Sequence, residues 1–292
     1  MSNNYSVLCW NINGRIGNRK GYRVPHELIL KEVLKESSEH IENYTPDFIV
    51  LTEFVCVEGS SELIALLKGK EYEVYLSEEK NGENGILIAI KKSLIDVESV
   101  KTCEIGSLIY DDRPNFLQVN ANLVTSGKQL QLIGIRIRTR EKDDILKERQ
   151  LDNWKNHLKG LSKDSITLCV GDFNAWGSYL GNNNKIQEGF EIYSPGLYTK
   201  IYTENKKYIN TFDKNQLVHW SYVFENYKSK EITIKAPLDH LVVSNNCKCI
   251  EVQYKWSFLC IDNGYGDLKK DMYLGNVSLP DHAILIAEIE FY

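Results

Sequence analysis

The sequence predicts an α/β protein whose strands run mainly antiparallel, and three observations carry that expectation. Short runs rich in Ile, Val and Leu, such as Phe48 to Leu51, Gly85 to Ile90, Leu130 to Ile137 and Ile166 to Val170, have strand length. Turn-like segments, Lys80-Asn81-Gly82 and Ser126-Gly127, separate several of them in the manner of a meander. No regular alternation of strand and helix, the pattern of a parallel sheet, runs through the chain.

With 292 residues, 42% of them hydrophobic and 26% charged, the chain has the size and composition of a globular protein with a substantial core. It is expected to form one domain over residues 1–292, with a variable surface excursion at about 177–230. A net charge of -5 argues against holding nucleic acid by a general positive field, and leaves room for a local basic groove. The seven Cys have neither zinc-type nor disulfide-framework spacing, Cys247-x-Cys249 included, and fit a reducing compartment. Cys9, Cys56 and Cys169 lie in apolar runs and are expected in the core. No signal-type N-terminus and no run of about 18 apolar residues is present, so the expectation is a cytoplasmic protein without membrane insertion.

Tyr5 to Trp10 reads as a strand ending in Asn11-Ile12-Asn13-Gly14. Arg15, Arg19, Lys20 and Arg23 follow in a basic loop that could grip a phosphodiester backbone or simply be solvated. Pro25 opens a helical stretch with Leu28, Val33, Leu34 and Ile41 on its apolar face, and Pro46 stops it. The strand Phe48 to Leu51 ends at Thr52-Glu53, where an acidic residue fits either a rim carboxylate or a salt-bridge partner. Ser60 or Ser61 caps a short helix through Leu67, and strands follow at Tyr72 to Leu76, Gly85 to Ile90, Phe116 to Val124 and Leu130 to Ile137.

Arg113 precedes the third of these strands and could contact phosphate in fork geometry or be solvated; Arg136 and Arg138 share a facing on the fourth. An amphipathic helix is expected over about Ile145 to Leu161, with Leu151, Trp154, Leu158 and Leu161 as its buried stripe. Ile166 to Ala175 then breaks from apolar residues into Gly171-Asp172-Phe173-Asn174, where Asp172 and Asn174 fit a turn as well as a site. Trp176 and a Gly/Asn-rich loop come next. Tyr193, Tyr198, Tyr202 and Tyr208, interleaved with Lys200, Lys206 and Lys207, suit base stacking or a plain surface excursion.

Near the end, Asp239-His240 and Asp281-His282 each stand at the start of a hydrophobic strand, whereas the earlier strands carry their polar groups at the exit. Antiparallel neighbours bring starts beside exits, so Asn11, Asn13, Glu53, Asp172, Asn174, Asp239, Asp281 and His282 are expected on one rim. Carboxylates gathered there need compensation, which Mg²⁺ held by Glu53 and Asp281 supplies; the lack of a Cys/His ligand set argues against zinc.

These segments, LCWNING, IVLTEF, YDDRPN, VGDFNA, LDHLVVS and LPDHAIL, resemble in kind and order the motifs of the endonuclease/exonuclease/phosphatase superfamily, over about residues 6 to 290. The resemblance implies a DNase I-like fold: a four-layer α/β-sandwich, two mainly antiparallel β-sheets packed face to face with helices outside. It implies Glu53 as principal metal ligand, assisted by Asp281 and Asn13, with Mg²⁺ or Mn²⁺ as cofactor. Asp172 would orient or deprotonate the attacking water, and Asn11 and Asn174 would bind phosphate oxygens or position Asp172. His282, held by Asp239, would donate a hydrogen bond to the phosphoryl group, and Arg113 would add charge stabilisation.

Two positions depart from the family pattern. Asn13 stands where many members have Asp, and Arg136 stands where members place a His or Tyr near the phosphate. Arg136 can stabilise a phosphorane-like transition state but is a poor proton donor.

The function expected is a divalent-metal-dependent phosphodiesterase, a nuclease acting on DNA, with Arg15, Arg19 and Trp176 as substrate contacts and no stable protein partner implied. A phosphomonoesterase or phosphoinositide-type phosphatase of the same fold, and a catalytically lapsed module that binds nucleic acid or protein, are the alternatives.

Overall fold

The computed structural model describes residues 4–13, 45–56, 60–78, 84–105, 112–138, 144–175, 180, 185–195, 221–225, 232–235, 237–256, 280 and 282–292. Among them, β1 (Asn4–Asn11), β2 (Phe48–Phe54), α1 (Ser60–Gly69), β3 (Tyr72–Leu76) and β4 (Gly85–Lys91) build one half. β5 (Ile95–Cys103), β6 (Asn115–Leu123), β7 (Gln129–Arg136), α2 (Asp144–Lys159) and β8 (Ile166–Asp172) begin the other. β9 (Lys185–Gln187), β10 (Phe190–Tyr193), β11 (Tyr222–Glu225), β12 (Ile232–Lys235), β13 (Asp239–Ser244), β14 (Cys247–Lys255) and β15 (Ile284–Phe291) complete the order.

The first sheet runs β14-β15-β1-β2-β4-β3 and the second β5-β6-β7-β8-β13-β10-β9, with β11-β12 as a separate ribbon. Most neighbours are antiparallel, as the meander pattern predicts, but β1 pairs with β2 and β7 with β8 in parallel. The helix α2 is the crossover between β7 and β8, which explains a parallel pair inside an otherwise antiparallel sheet.

The sheets pack face to face through alternate residues of their central strands. On β7, Leu130 and Leu132 belong to the core between the sheets, whereas Ile133 and Ile135 lie in a second cluster with Leu151, Trp154 and Leu158 of α2. The stripe expected on that helix is therefore the one that covers the outer face of the second sheet, and each fully buried aliphatic side chain there contributes roughly 1.5–3 kcal/mol. Gly134 marks a close approach between the sheets: a Cβ there would sit 2.6 Å from Ile86 Cγ2 and 2.9 Å from Val50 Cγ1. Any side chain at this point would force the layers apart.

Several expectations change. Cys9 and Cys169 are buried, but Cys56 is half-buried, because it lies beyond the end of β2. β5 and β14 are strands where no apolar run announces one, since both are sheet edges with largely exposed residues. Within the stretch expected as an excursion, β10 pairs with β13 and buries Phe190 and Ile192 against the α2 side of the sheet. The helix expected after Pro25 and most of the Tyr/Lys-rich stretch lie outside the described residues.

Candidate active site

Three neighbouring strands of the second sheet end in a row of charge. In the parallel register of β7 and β8, Arg136 stands opposite Asp172, and in the antiparallel register of β8 and β13, Asp172 stands opposite Asp239. All three continue the face that carries Leu132, Val170 and Leu241 into the core, so they point toward the first sheet where the sandwich opens. Gly171 makes the row possible: a Cβ there would lie 1.8 Å from the Ile135 carbonyl oxygen, so only glycine allows this approach of β7 to β8.

The first sheet supplies the facing groups. Asn11 ends β1, and its Nδ2 donates to Asp172 Oδ2 at 2.9 Å and to Glu53 Oε1 at 3.2 Å. Its Oδ1 accepts the backbone N–H of Asn13 at 2.9 Å, which turns the Asn-x-Asn segment back on itself. Val50 of β2 contacts the second sheet, so an unbroken strand would turn Glu53 to the opposite face. A β-bulge between Thr52 and Phe54, with Glu53 at φ 53°, re-aims the carboxylate into the cleft. Asn13 and Asn174 also have positive φ, at 53° and 46°. Left-handed backbone in non-glycine residues is thus concentrated at the site.

Glu53 is held on three sides. Arg136 Nη2 lies 2.7 Å from Oε1, and Asn84 Nδ2 donates to Oε2 at 3.1 Å. Asn84 was not singled out from the sequence, although a signal existed: it directly precedes β4, which is antiparallel to β2, so its start lies beside the exit of β2.

Asp172 is 1% exposed. Its Oδ1 accepts the Asn174 backbone N–H at 2.8 Å, and its Oδ2 accepts Asn174 Nδ2 at 2.9 Å as well as Asn11. Burial pushes its carboxyl up to about 6, and Asp239 adds to the rise; His282, Arg136 and the Asn174 N–H oppose it. Asn174 is itself anchored by donating to the Ile137 carbonyl at 2.8 Å.

His282 Nδ1 is paired with Asp239 Oδ2 at 2.8 Å, which leaves Nε2 facing Asp172 Oδ2 at 4.0 Å. Trp10 Nε1 donates to the His282 carbonyl at 2.9 Å, and the Tyr222 ring lies 4.9 Å from the imidazole. Ser221 Oγ accepts the backbone N–H of Leu238 at 2.7 Å and of Asp239 at 3.0 Å, fixing the start of β13. The other histidine of this region is structural: His240 is fully buried, donates from Nε2 to the Ala175 carbonyl at 2.8 Å, and is pushed down to about 4 by burial.

Asn11, Glu53, Arg136, Asp172, Asn174, Asp239 and His282 therefore meet, with Asn13 tied to Asn11. The described ion pair of Arg113 is instead with Glu104, at 3.8 Å, and its carbonyl accepts from Arg138 Nε at 3.0 Å. Arg15, Arg19, Trp176 and Asp281 lie outside the described residues.

The family model for the endonuclease/exonuclease/phosphatase family matches residues 8–259. The chain belongs to this family. Among solved structures, D. rerio TDP2 complexed with single-stranded DNA product has a TM-score of 0.64 at 15% identity, covering 98% of this chain and 99% of that chain. The human Nocturnin catalytic domain with bound sulfate has a TM-score of 0.62 at 14% identity, covering 99% and 94%. ANGEL2, a 2′,3′-cyclic phosphatase, in complex with adenosine-2′,3′-vanadate, has a TM-score of 0.61 at 14% identity, covering 99% and 96%. At these identities the likeness establishes the DNase I-like sandwich and nothing finer. No curated protein matches the chain in sequence. Among the described residues, no helix is long and apolar enough to cross a membrane.

The site fits the divalent cation on which enzymes of the endonuclease/exonuclease/phosphatase family depend. Among the described residues, Glu53, Asp172 and Asp239 face one fixed cation, Arg136, and one imidazole, so negative charge is in excess there. The buried Cys9 thiol behind them registers the same field: burial raises it well above the ordinary thiol range, and Asp239 and Asp172 push it further. Asp239 Oδ1 is buried without a hydrogen-bond partner among the described residues. Asp172, Asp239 and His282 offer ligand atoms within 4.8 Å of one another. The carboxylate oxygens of Glu53 suit a hard cation better than a set that includes an imidazole nitrogen.

Proposed function

We propose that this protein is a divalent-metal-dependent phosphodiesterase, a nuclease that cleaves DNA by water attack on a backbone phosphate. The observation that carries the reading is the opposition of Asp172 to the His282–Asp239 pair across 4.0 Å, with Glu53 alongside. Asp172, with its carboxyl at about 6, takes the water proton, since a group of that strength is mostly ionised at neutrality yet basic enough to accept a proton. Asn11 and Asn174 hold its oxygens so that the carboxylate meets water in one orientation. Asp239 fixes the His282 ring through Nδ1, and Nε2 donates to the phosphoryl oxygen as charge builds. Glu53, with Asp281 and Asn13 assisting, would hold Mg²⁺ or Mn²⁺, which would neutralise phosphate charge. Arg136 contributes a fixed positive charge to the phosphate oxygens, and Arg113 a more distant one.

Nucleic acid as substrate is supported by the TDP2 structure with its single-stranded DNA product. The ANGEL2 complex with a cyclic-phosphate mimic supports a second reading, a small phosphoester as substrate. Arg15, Arg19 and Trp176 are proposed to flank the cleft and touch DNA. A panel of single- and double-stranded DNA, RNA and small phosphoesters, run with Mg²⁺ or Mn²⁺ and with Asp172→Ala as control, tests the proposal. Cleaved DNA with free phosphate near background is expected; intact DNA with turnover of a small phosphoester would replace the nuclease by the second reading.

A further inference from the structure

Arg136 and Glu53 come from opposite sheets yet meet at 2.7 Å, with side chains only 15% and 12% exposed, so little water screens the pair. The rest of the guanidinium is underused: Nε is buried without a hydrogen-bond partner among the described residues, and stands 3.9 Å from Asp172 Oδ2, beyond hydrogen-bond reach. A guanidinium carries five donors in a rigid fork matched to carboxylates and phosphates alike. Here it neutralises Glu53 from one side and keeps Nε, beside Asp172, without a hydrogen bond among the described residues. A divalent cation arriving at Glu53 meets the permanent charge of Arg136 within a few ångströms. An incoming anion gives the guanidinium a further partner to turn to, beyond Glu53 and the 3.9 Å ion pair with Asp172.

We infer that Arg136 is a tethered counter-ion of Glu53 that competes with the divalent cation and yields when a phosphate binds, so that metal and phosphate fill the site cooperatively. The inference rests on the reading of Glu53 as a metal ligand. It makes the Arg at this position an affinity control on the metal as well as a phosphate contact. Coupling of this kind is reciprocal: the anion must tighten the metal by the same factor as the metal tightens the anion.

Calorimetric titration of the full chain with Mn²⁺, with and without sulfate as a tetrahedral dianion, reads this without turnover. Sulfate is expected to tighten Mn²⁺ on wild type. Arg136→Met is expected to bind Mn²⁺ about tenfold or more tightly without sulfate, on the Coulomb repulsion removed, and to show no tightening by sulfate. Where Arg136→Met melts early, Arg136→Gln, which lacks the charge but can still hydrogen-bond Glu53, carries the same expectation. Equal or weaker Mn²⁺ binding in a folded Arg136 variant, while Glu53→Gln abolishes binding, overturns the competition and leaves Glu53 as ligand. Sulfate tightening that persists without Arg136 overturns the coupling. Mn²⁺ binding indifferent to Glu53→Gln in every background removes the metal reading, and this inference with it.

Discussion

The two ends of β7, β8 and β13 share three strands and two hydrogen-bond ladders, and they are built on opposite plans. At one end Ser165 Oγ donates to Gln129 Oε1 at 2.9 Å, Thr167 Oγ1 to Gln131 Oε1 at 2.9 Å, and the Thr167 N–H to Ser244 Oγ at 3.0 Å. Asn246 Nδ2 adds a bond to the Ser165 carbonyl at 3.0 Å. This network is neutral, and each of its groups has a partner. At the other end stand Arg136, Asp172 and Asp239, with Arg136 Nε and Asp239 Oδ1 unpartnered among the described residues and with Asn174, Asn13 and Glu53 in left-handed backbone nearby. Closed neutral networks hold a fold in one state, whereas open charged ones hold free energy ready for a ligand. One sheet can do both because its ends are about seven strand residues apart, roughly 20 Å.

The comparison breaks most decisively through the charged end. Asp172→Ala and His282→Ala are each expected to lower the rate of phosphoester cleavage by about 10³-fold or more while the protein stays folded. A variant of either kind that cleaves at the wild-type rate would mean that the charged end is structural after all.

Next in size is the pH response of stability. Asp172 rises from an ordinary 3.8 to about 6 in the folded protein, so between those values the native state holds a proton that the unfolded chain has released. Its contribution is whole below about pH 4 and is lost as pH rises through about 6, a change of about 3 kcal/mol at most. Denaturant unfolding of wild type and Asp172→Asn from pH 4 to 8 should show wild type losing stability relative to the variant across that window. Activity should move the other way, falling below about pH 6 as the base is protonated. A pH-independent stability difference would show that the carboxylate is not paying for its burial.

A smaller effect is expected at Asn84. Removing its amide in Asn84→Ala frees one oxygen of Glu53, and Mn²⁺ affinity by calorimetry should fall about tenfold, the usual scale for a residue that orients a ligand. Unchanged affinity would make Asn84 a packing residue. Smallest is Thr167→Val at the neutral end, which leaves Gln131 Oε1 short of a donor and should cost about 1–2 kcal/mol of unfolding free energy with turnover unchanged. Loss of turnover there would show that the ends are coupled.

Much of this was legible because buried strands announce themselves. Phe48 to Leu51, Gly85 to Ile90 and, apart from Thr167, Ile166 to Val170 are apolar because both their faces are covered, and the rule that starts lie beside exits brought Asp172 and Asp239 together, as their register now shows. What escaped has physical reasons too. β5 and β14 are edges, where exposed residues erase the hydrophobic pattern. The bulge at Glu53 depends on backbone geometry that no residue type in IVLTEF demands. The Glu53–Arg136 pair joins two sheets, and only the packing of the sandwich decides that residues so far apart in the chain will touch.

That packing returns to Gly134. It lies two residues before Arg136 on the same face of β7, and its missing side chain lets Val50 and Ile86 close on the second sheet. Glu53 leaves the first sheet three residues after Val50. The span of the reactive cleft is thus gauged from inside the core, as the opening of a caliper is set by its hinge. A methyl group at position 134 alters no reacting atom, yet it would widen the bite and move the Glu53 side away from the Asp172 side. The width of the cleft is therefore set in part by core residues that line none of it.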